Sequence, residues 1–502
     1  MALCFLVLLR YALVRRKRSS ARIAGLPLPP GPSQLPFIGN LFDFPQQPEE
    51  WKGFAALGRL YGPVVCMRIL NKDIIVLNSM KAATDLLEKR NALYSDRPRF
   101  PMACEVAGLD WILAFMPYGS EWRRHRRALH PHMNETAAKS LAAMQEVLTA
   151  RFLRKILAAP EDWSEALEWL AGATIVRAML GVDVADKNDP LVKLNKHIVG
   201  IVIGVASPGV PWAVDWLPFL NRLPSWLPGM GFKRQAAIWK NEQLRCREES
   251  VAHVKRDMAA GTAVTSIASK MLADEDADET VVTNVINVAY LAGNDTTLGA
   301  MRAFFHAMVL HPVSQREAQT EIDQLLGGAR LLSLEDRPTL PYLEALVLET
   351  MRMYPVAPLA LPHCVTENDE YEGMAIPKGA TVIPNTWAIL NDPAVYPEPE
   401  TFRPERFLKA RRLDPLMPDP RNAYFGYGRR MCPGQYFAYN EVWLLAATTL
   451  ACFDILPVKD AAGKDVLPSR ALSSGLVSSV SKFPCRLIPR DRETSERLLS
   501  LV

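Results

Sequence analysis

The sequence lacks the cysteine spacings of metal clusters and disulfide frameworks. Its 502 residues include eight cysteines, but no Cys-x-x-Cys pair and no Cys/His ligand pattern occurs, so we expect no zinc site, iron–sulfur site or disulfide scaffold. Free cysteine usually packs as a small buried hydrophobe, and this interpretation applies to seven of the eight. The seven are Cys4, Cys66, Cys104, Cys246, Cys364, Cys452 and Cys485.

Strong net charge and low-complexity sequence are also missing. The formal net charge is +4, and no basic stripe carries interleaved aromatic residues, so we expect no nucleic-acid partner. No repeat or Gly/Ser linker divides the chain, although its length alone favours two or three domains. The motifs described below extend from Trp122 to Cys432 and must meet at one site. We therefore expect a single catalytic domain over residues 41–495.

Cys432, the remaining cysteine, lies in a sequence that suits a ligand. Gly428 and Gly434 permit tight turns beside it, and Arg430 places a positive charge two residues before the sulfur, which favours a thiolate. The ten residues from Phe425 onward fit the pattern F-x-x-G-x-R-x-C-x-G. This loop resembles the one that carries the axial cysteine in the cytochrome P450 family.

The resemblance implies haem b as the cofactor, with Cys432 as the proximal iron ligand and with Phe425 and Arg430 in contact with the haem. It also implies a mainly α fold with small β-sheets, in which the haem lies between a long distal helix and the cysteine loop. Helical patterns dominate the chain. Residues 64–70 and 74–78, separated by 71–73, instead predict a β-hairpin.

A buried charge network is the next predicted feature. Glu349 and Arg352 lie three residues apart in an apolar helical segment that stops before Pro355, and an ordinary surface ion pair is the alternative interpretation. The pair resembles the family's E-x-x-R helix, and residues 404–407 match its P-E-R-F partner, which implies that Arg406 joins the pair. Because a buried ion triad is costly unless fully paired, we expect it to fix the core on the haem side.

Polar residues interrupt a long apolar helix at residues 292–297. The run from 281 to 310 has no proline, yet its centre reads A-G-N-D-T-T, which helix propensity disfavours. We expect Gly293 to open a groove there and the Thr296 hydroxyl to bond a carbonyl or a ligand. The segment resembles the family's oxygen-binding motif, which implies that Thr296 helps deliver protons and Asp295 connects the relay with solvent. A solvated polar face is the alternative.

Further residues are candidates for contacts with the haem and the substrate. Trp122 and Arg126 lie four apart on one helical face. They match the family's W-x-x-x-R helix, which implies that both bond a haem propionate. His363 lies where the family often has another propionate contact. The candidate substrate-pocket residues are Ala292, Gly293, Val356, Leu359 and Leu476.

Residues 1–25 are interpreted as a membrane anchor followed by a basic stop. The first fourteen are apolar except for Arg10, and R-R-K-R follows; this run is shorter than the roughly 17 to 25 residues that span a bilayer, which favours a tilted or interfacial anchor. Residues 26–40 resemble the proline hinge of membrane-bound family members. We expect the protein to be anchored in the endoplasmic reticulum membrane, with its catalytic domain facing the cytosol. A mitochondrial presequence is the alternative, because no acidic residue precedes Asp43.

A second contact with membrane lipid is expected between residues 210 and 230. Tryptophan and phenylalanine alternate there with proline, a composition that suits an interfacial loop better than a strand or a helix. Packing within the fold is the alternative.

Together the motifs imply a haem-thiolate monooxygenase that inserts one oxygen atom from O2 into a lipophilic small molecule. Electrons would come from NADPH through NADPH-cytochrome P450 reductase, with cytochrome b5 as a second candidate donor. Arg123, Arg124, Arg127 and Arg429 would form a positive docking patch, or else a merely solvated face. Residues 355–399 look most like fungal members of secondary metabolism, with terpenoid or aromatic substrates. A haem-thiolate isomerase or dehydratase that needs no O2, and a non-catalytic haem sensor or carrier, are the alternatives.

Overall fold

The structure, a computed structural model, describes residues 25–185, 189–207, 212–326 and 330–491, and residue 496. The predicted anchor and basic stop therefore lie almost wholly outside the described residues, as do residues 210 and 211 of the second predicted lipid contact. Across the described ranges, no helix combines the length and apolar character needed to cross a membrane.

Helices form most of the described chain. In chain order the α-helices are α1 (Glu50–Tyr61), α2 (Met80–Ala83), α3 (Asn91–Tyr94), α4 (Ser120–Met133), α5 (Glu135–Ser140), α6 (Ala142–Ala158), α7 (Trp163–Leu180), α8 (Pro190–Ala206), α9 (Ala213–Trp216), α10 (Gly231–Ala259), α11 (Ile267–Leu272), α12 (Glu279–Leu310), α13 (Pro312–Leu326), α14 (Pro341–Met353), α15 (Thr386–Leu390), α16 (Arg421–Tyr424) and α17 (Gln435–Cys452). Short π-helical turns occupy Thr84–Lys89 and Pro101–Val106, and 3-10 turns occupy Pro160–Asp162, Pro218–Arg222, Leu334–Thr339, Pro404–Phe407 and Gly428–Arg430.

The strands form small sheets beside the helices. They are β1 (Val64–Ile69), β2 (Lys72–Leu77), β3 (His363–Cys364), β4 (Asp369–Tyr371), β5 (Met374–Ile376), β6 (Thr381–Pro384), β7 (Leu408–Lys409), β8 (Arg412–Leu413), β9 (Phe453–Lys459), β10 (Asp465–Val466) and β11 (Cys485–Pro489). One sheet has the strand order β1-β2-β6-β3, another has the order β10-β9-β11, and β4-β5 and β7-β8 are two-stranded.

The predicted β-hairpin is confirmed, with a tighter turn than expected. Strands β1 and β2 pair antiparallel from Val64 opposite Leu77 to Ile69 opposite Lys72, so Lys72 belongs to a strand rather than to the turn. Leu70 adopts a positive φ of 52° at the turn. Strand β2 also pairs in parallel with β6, which joins the N-terminal part of the chain to residues 381–384.

The proline-rich segment from residue 26 is held against the domain. The Pro27 carbonyl accepts a hydrogen bond of 2.7 Å from the Ala375 N–H, and the Pro30 carbonyl accepts one of 2.9 Å from the Cys66 N–H. A side chain at Gly31 would overlap the Cys66 carbonyl. The described part of the predicted hinge thus lies along β1 and β5.

Helix α12 runs through the middle of the fold and matches the predicted run closely. Asp278 caps its first turn by accepting a hydrogen bond of 3.0 Å from the Val281 N–H, as an N-cap aspartate does. The helix packs against α4, α7, α8 and α17, and a single apolar cluster that extends from Trp51 to Leu487 surrounds it. One buried core of this kind is what a single catalytic domain requires.

Candidate active site

Cys432 lies in the short loop between α16 and α17. Its backbone N–H donates a hydrogen bond of 2.8 Å to the Phe425 carbonyl, which closes the loop on itself. Gly428 has a φ of 54°, and a Cβ at this position would overlap the Leu87 carbonyl. Only glycine permits this close approach, so the glycine pattern seen in the sequence has a steric cause.

The surroundings of the Cys432 sulfur oppose its ionisation. Desolvation raises the pKa of the thiol, while the Gly434 N–H, which is hydrogen bonded to the sulfur, and the nearby Arg126 act in the opposite direction. A thiol that coordinates a metal ion loses its proton, so a bound metal would supply the missing stabilisation. The nearby positive charge is that of Arg126, and the expectation that Arg430 stabilises the thiolate is corrected.

Arg430 instead clamps the cysteine loop to a distant segment. Its Nε donates to the Ser95 carbonyl at 2.7 Å, its Nη2 donates to the Met116 carbonyl at 2.7 Å and its Nη1 donates to the Leu113 carbonyl at 3.3 Å. The guanidinium also lies 4.7 Å from the centre of the Trp122 ring. These contacts fix the cysteine loop to residues 95–116.

A second buried guanidinium, Arg97, is absent from the sequence-based predictions. It donates to the Ala114 carbonyl at 2.9 Å, to the Leu361 carbonyl at 2.9 Å and to the Pro362 carbonyl at 2.7 Å. Burial, with a contribution from Arg430, holds the pKa of Arg97 well below its usual value. An arginine with no periodic or motif partner in the sequence carries no signal of this role.

Trp122 and Arg126 share one face of α4, as predicted. In the described chain, neither the Trp122 indole N–H nor the Arg126 guanidinium has a hydrogen-bond partner. Burial lowers the pKa of Arg126, and Cys432 opposes that shift. Donors in such desolvated surroundings need an acceptor, and a carboxylate is the acceptor that best matches a guanidinium.

His363 is anchored beside this region through its other ring nitrogen. Its Nδ1–H donates to the Tyr94 carbonyl at 2.7 Å, which leaves Nε2 for another partner. Burial, and then Arg97, hold the pKa of His363 well below its usual value, so the ring is neutral and Nε2 accepts. Nε2 can donate to a propionate only when that negative charge favours the doubly protonated ring.

The structure brings Glu349, Arg352 and Arg406 together in a fully buried network. Glu349 accepts from Arg352 Nε at 2.7 Å, from Arg352 Nη2 at 2.9 Å and from Arg406 Nε at 3.0 Å. The Arg403 backbone N–H also donates to the same carboxylate at 2.8 Å. The other guanidinium donors bond the carbonyls of Leu390, Pro397, Glu398, Pro399 and Thr401. The triad therefore joins α14 to residues 390–406.

Helix α12 has a solvent-accessible face at the A-G-N-D-T-T segment. Ala292 is exposed and Thr296 is half-buried in a helix whose neighbouring residues are mostly buried. The Thr296 hydroxyl donates to the Ala292 carbonyl at 2.7 Å, which is the carbonyl bond expected for it. Asp295 Oδ1 accepts from Asn294 Nδ2 at 3.2 Å, and burial raises the pKa of Asp295.

The small size of Gly293 serves the packing of α12 against α7, and its contact with a substrate stays a prediction. A Cβ at Gly293 would lie 2.5 Å from Ile175 Cδ1, so the glycine faces α7 rather than the accessible face. Its small size permits α7 and α12 to approach closely.

Of the other pocket candidates, Val356 lies beside α12 and Leu476 lies beside the end of α8. The Val356 carbonyl accepts from the Ser478 N–H at 2.8 Å, and a Cβ at Gly299 of α12 would lie 3.5 Å from Val356 Cγ2. The Leu476 N–H donates to Ser207 Oγ, at the end of α8, at 3.1 Å. Contact of these residues, and of Ala292 and Leu359, with a substrate stays a prediction.

A cleft of about 1620 Å³ lies on the other side of the cysteine loop. Phe425 lines it together with Arg421, Tyr436 and Tyr439, and its described lining includes no residue of α12. This cleft is therefore separate from the accessible face that carries Ala292 and Thr296.

The structure unites only part of the predicted arginine patch. Arg123 and Arg429 both lie over the Tyr118 ring, at 5.5 Å and 5.1 Å from its centre. Arg124 instead pairs with Glu121 at 3.2 Å and with Asp278 at 3.3 Å, so Arg124 is removed from the patch. We name Arg123, Arg127 and Arg429 the Tyr118 patch.

An iron porphyrin with two propionates fits the donor set described above. Cys432 offers a sulfur ligand, and Trp122 and Arg126 offer hydrogen-bond donors that have no described protein acceptor. A thiolate ligand favours cleavage of the O–O bond at haem iron, and the accessible face of α12 offers a hydroxyl and a carboxyl for proton transfer.

Comparison with known proteins points to the same chemistry. The family model for cytochrome P450 matches residues 29–480. "Cytochrome P450 monooxygenase COX1" of Coprinopsis cinerea is 37% identical over 94% of this chain and 93% of its own length. "Cytochrome P450 monooxygenase claR" of Ampulloclitocybe clavipes is 38% identical over 95% of this chain and 88% of its own. "Tryptamine 4-monooxygenase" of Psilocybe cyanescens is 37% identical over 96% of each.

Proposed function

Because the chain belongs to the cytochrome P450 family and is a haem-thiolate monooxygenase, we propose that it oxidises a lipophilic small molecule in fungal secondary metabolism. The predicted family, fold class, haem cofactor and enzyme class are confirmed, and the isomerase and carrier alternatives are set aside. The relatives named as monooxygenases come from fungi, which supports the proposed setting.

The proposed function rests mainly on the Cys432 loop, in which the sulfur accepts a hydrogen bond from the Gly434 N–H and lies near Arg126. The direct test reconstitutes the haem protein with NADPH-cytochrome P450 reductase and measures NADPH-dependent oxygen consumption together with product formation. Terpenoids, sterols, fatty acids and aromatic amines are first screened for substrate-induced shifts of the haem spectrum. A compound that shifts the spectrum but yields no oxygenated product under any condition would argue against the proposal.

Haem supplies the dioxygen chemistry when it is bound, and the chain's own side chains hold and orient it. Cys432 would bind the iron, and Trp122, Arg126 and His363 would bond the propionates. The unpaired donors on α4 support the first two propionate partners. His363 joins them only when the propionate charge favours its doubly protonated ring. Arg430 keeps the loop in place through its three carbonyl bonds.

Asp295 and Thr296 are proposed to move protons to the reaction site. Thr296 lies on the accessible face of α12, and its hydroxyl already makes a hydrogen bond. Burial raises the pKa of Asp295, which favours a carboxyl that holds a proton and passes it on, as a general acid requires.

Apolar side chains support a lipophilic substrate. Val356 and Leu359 are buried on a segment that approaches α12, and Leu476 reaches the end of α8. One relative is named for oxidation of tryptamine, which supports an aromatic compound, whereas a terpenoid remains the second candidate class.

The Tyr118 patch is the proposed docking surface for NADPH-cytochrome P450 reductase, with cytochrome b5 as a second candidate donor. Arg123, Arg127 and Arg429 are exposed, and Arg429 also donates to the Tyr118 hydroxyl at 2.6 Å. Positive charge near the cysteine loop favours encounter with an acidic partner.

Two groups of exposed apolar residues, one on each side of the β1–β2 turn, support contact with the endoplasmic reticulum membrane. The turn connects the two groups: the Leu70 N–H donates to the Ile38 carbonyl at 3.2 Å, and Lys72 Nζ donates to the Asp215 carbonyl at 2.8 Å. The exposed apolar residues on either side are Leu35, Phe37, Leu41, Phe42, Leu217, Phe219 and Trp226. Exposed apolar patches of this kind mark membrane or protein contacts.

Vesicle binding tests this surface. Phe219→Glu/Trp226→Glu should weaken co-sedimentation with phosphatidylcholine/phosphatidylserine vesicles, because a charged side chain does not enter the lipid interface. Leu416→Glu, at a side chain that is 82% exposed elsewhere, is the matched control and should bind as the wild type does. Equal binding by all three proteins would remove the surface from the proposal. Fractionation of cells separates the endoplasmic reticulum from the mitochondrial alternative.

A further inference from the structure

Three cations converge on Glu168 of α7. Lys482 Nζ lies 2.8 Å from Glu168 Oε1, Lys196 Nζ of α8 lies 3.2 Å from Oε2, and Arg302 Nη2 of α12 lies 3.4 Å from Oε1. Glu165 adds a weaker contact to Lys482 at 3.7 Å. One carboxylate thus holds side chains from two other helices and from the segment before β11.

Three of these charged groups, Glu168, Lys196 and Arg302, also act on Asp295, seven residues before Arg302 on α12. Burial raises the pKa of Asp295; Lys196 and Arg302 oppose that shift, whereas Glu168 reinforces it. Yet the hydrogen bond made by the Asp295 carboxyl comes from the neutral Asn294 amide, and the described ion pairs of Lys196 and Arg302 go to Glu168. Two cations are therefore close enough to affect Asp295 but are bound to another carboxylate.

Unpaired buried polar atoms lie beside Asp295. Within the described part of the chain, Asn195 Oδ1, Asn294 Oδ1 and Arg302 Nε are buried and have no hydrogen-bond partner in the protein. Asn195 Nδ2 donates to the Tyr290 carbonyl at 2.8 Å, which places it one helical turn from Asn294. Buried polar atoms in folded proteins are satisfied by protein groups or by ordered water, so these atoms indicate a hydrated path between α7, α8 and α12.

We propose that Glu168 is a positioning residue that holds Lys196 and Arg302 off Asp295. Asp295 is then left to exchange protons with ordered water at Asn195, Asn294 and Arg302. In each cycle Asp295 gives one proton towards Thr296 and regains one from this water, which is replenished from bulk solvent; only O–H bonds break and form. The inference rests on the proposed relay role of Asp295 and Thr296.

The main test is Glu168→Gln, which keeps the size of the side chain but releases the cations. Lys196 and Arg302 should then pair with Asp295 and hold it ionised. Haem content and substrate-induced spectral shifts should stay at wild-type level, whereas turnover should fall at least about tenfold and the solvent kinetic isotope effect should rise. Glu165→Gln, which touches only Lys482, is the matched control and should resemble the wild type.

A spectroscopic readout and a suppressor separate positioning from a merely structural role. The pKa of Asp295, read from the pH dependence of the carboxyl infrared band that is lost in Asp295→Asn, should fall in Glu168→Gln and stay at its wild-type value in Glu165→Gln. Lys196→Met in the Glu168→Gln background should recover most of the turnover, and Glu168→Asp should retain it. If Glu168→Gln loads little haem, turnover and the infrared band are compared between Glu168→Gln/Lys196→Met and Glu165→Gln instead.

The outcomes distinguish this inference from the function on which it rests. If Asp295→Asn leaves turnover and the isotope effect unchanged, the proposed relay is wrong. If Asp295→Asn slows turnover while Glu168→Gln matches Glu165→Gln in rate, isotope effect and infrared band, the relay stands and the role of Glu168 is overturned. Failure of Lys196→Met to restore turnover would also overturn the role of Glu168, because the released cations could not then be the cause of the slower turnover.

Discussion

Arg406 and Glu349 lie 57 positions apart in the chain, yet their side chains meet at 3.0 Å in the interior. The carboxylate also receives two bonds from Arg352, and both its oxygens are fully paired. A charge triad buried in this way contributes little to stability as a whole but is costly to break. The triad instead fixes the position of residues 397–406 against α14.

Replacement of Arg406 by alanine should therefore destabilise the protein by roughly 3 to 5 kcal/mol, the cost of breaking a buried ion pair. Little haem-loaded protein should accumulate. Arg403→Ala is the matched control, because it removes an exposed pair with Glu398 at 3.2 Å and an exposed bond to the Pro397 carbonyl at 3.4 Å but keeps the backbone donor to Glu349. Haem content and urea unfolding measure the difference, and equal values for the two variants would contradict the network's role.

Cys432→His should leave a haem protein without monooxygenase activity, because a neutral imidazole does not donate the electron density that a thiolate does. The reduced carbonyl complex should lose its thiolate-type absorption spectrum. Cys246→Ala, which removes another cysteine from α10, should keep both spectrum and activity. An unchanged carbonyl spectrum in Cys432→His would show that the ligand is elsewhere.

Thr296→Ala should keep substrate binding and NADPH oxidation but divert reducing equivalents to hydrogen peroxide, because the proton-donating hydroxyl is lost. Asp295→Asn should instead slow turnover. Thr320→Ala removes the same kind of hydroxyl bond, to the Arg316 carbonyl at 2.9 Å, on the exposed face of α13 and should change neither quantity. Product and peroxide formed per NADPH are measured, and an equal product yield in Thr296→Ala and wild type would refute the relay.

Arg123→Glu/Arg127→Glu should load haem normally, since both side chains are exposed and surface charges contribute little to folding. Reduction of the haem by the reductase should slow several-fold at low ionic strength, and its salt dependence should weaken. Stopped-flow reduction against salt concentration measures this effect. Arg124→Glu, outside the patch, should have a smaller effect; equal rates for the double variant and wild type would mean that the reductase docks elsewhere.

Glu441 gives the stability of the protein a pH dependence. Burial raises the pKa of this carboxyl on α17 to about 8, above that of the unfolded chain. The folded state therefore binds more protons, and the free energy of unfolding falls as pH rises from about 4.5 through 8. Glu441→Gln should remove most of that loss, on the order of 3 to 5 kcal/mol, as measured by urea unfolding at pH 5 and pH 8.5. Glu335→Gln, at an exposed site, should show the wild-type loss.

Most features that sequence analysis predicted have a local cause: Glu349 and Arg352 lie on one helical turn, and the β1–β2 hairpin joins neighbouring segments. Each leaves a short pattern in the sequence. Arg406, 57 positions from Glu349, is predicted only through the resemblance to the P-E-R-F segment.

The features that sequence analysis missed depend on segments far apart in the chain. Arg97 bonds carbonyls that lie 264 and 265 positions away, and Gly293 is small because Ile175 approaches it. Backbone carbonyls exist at every residue, so a side chain that binds them has no complementary residue type to reveal it.

The three carbonyl bonds of Arg430 couple the segment from Ser95 to Met116 to the cysteine loop. The cysteine loop carries the sulfur two residues beyond Arg430. A substrate that displaces the segment must strain or shift the loop. Binding of a substrate would thereby shift Cys432, which would hold the iron, without any contact between substrate and sulfur.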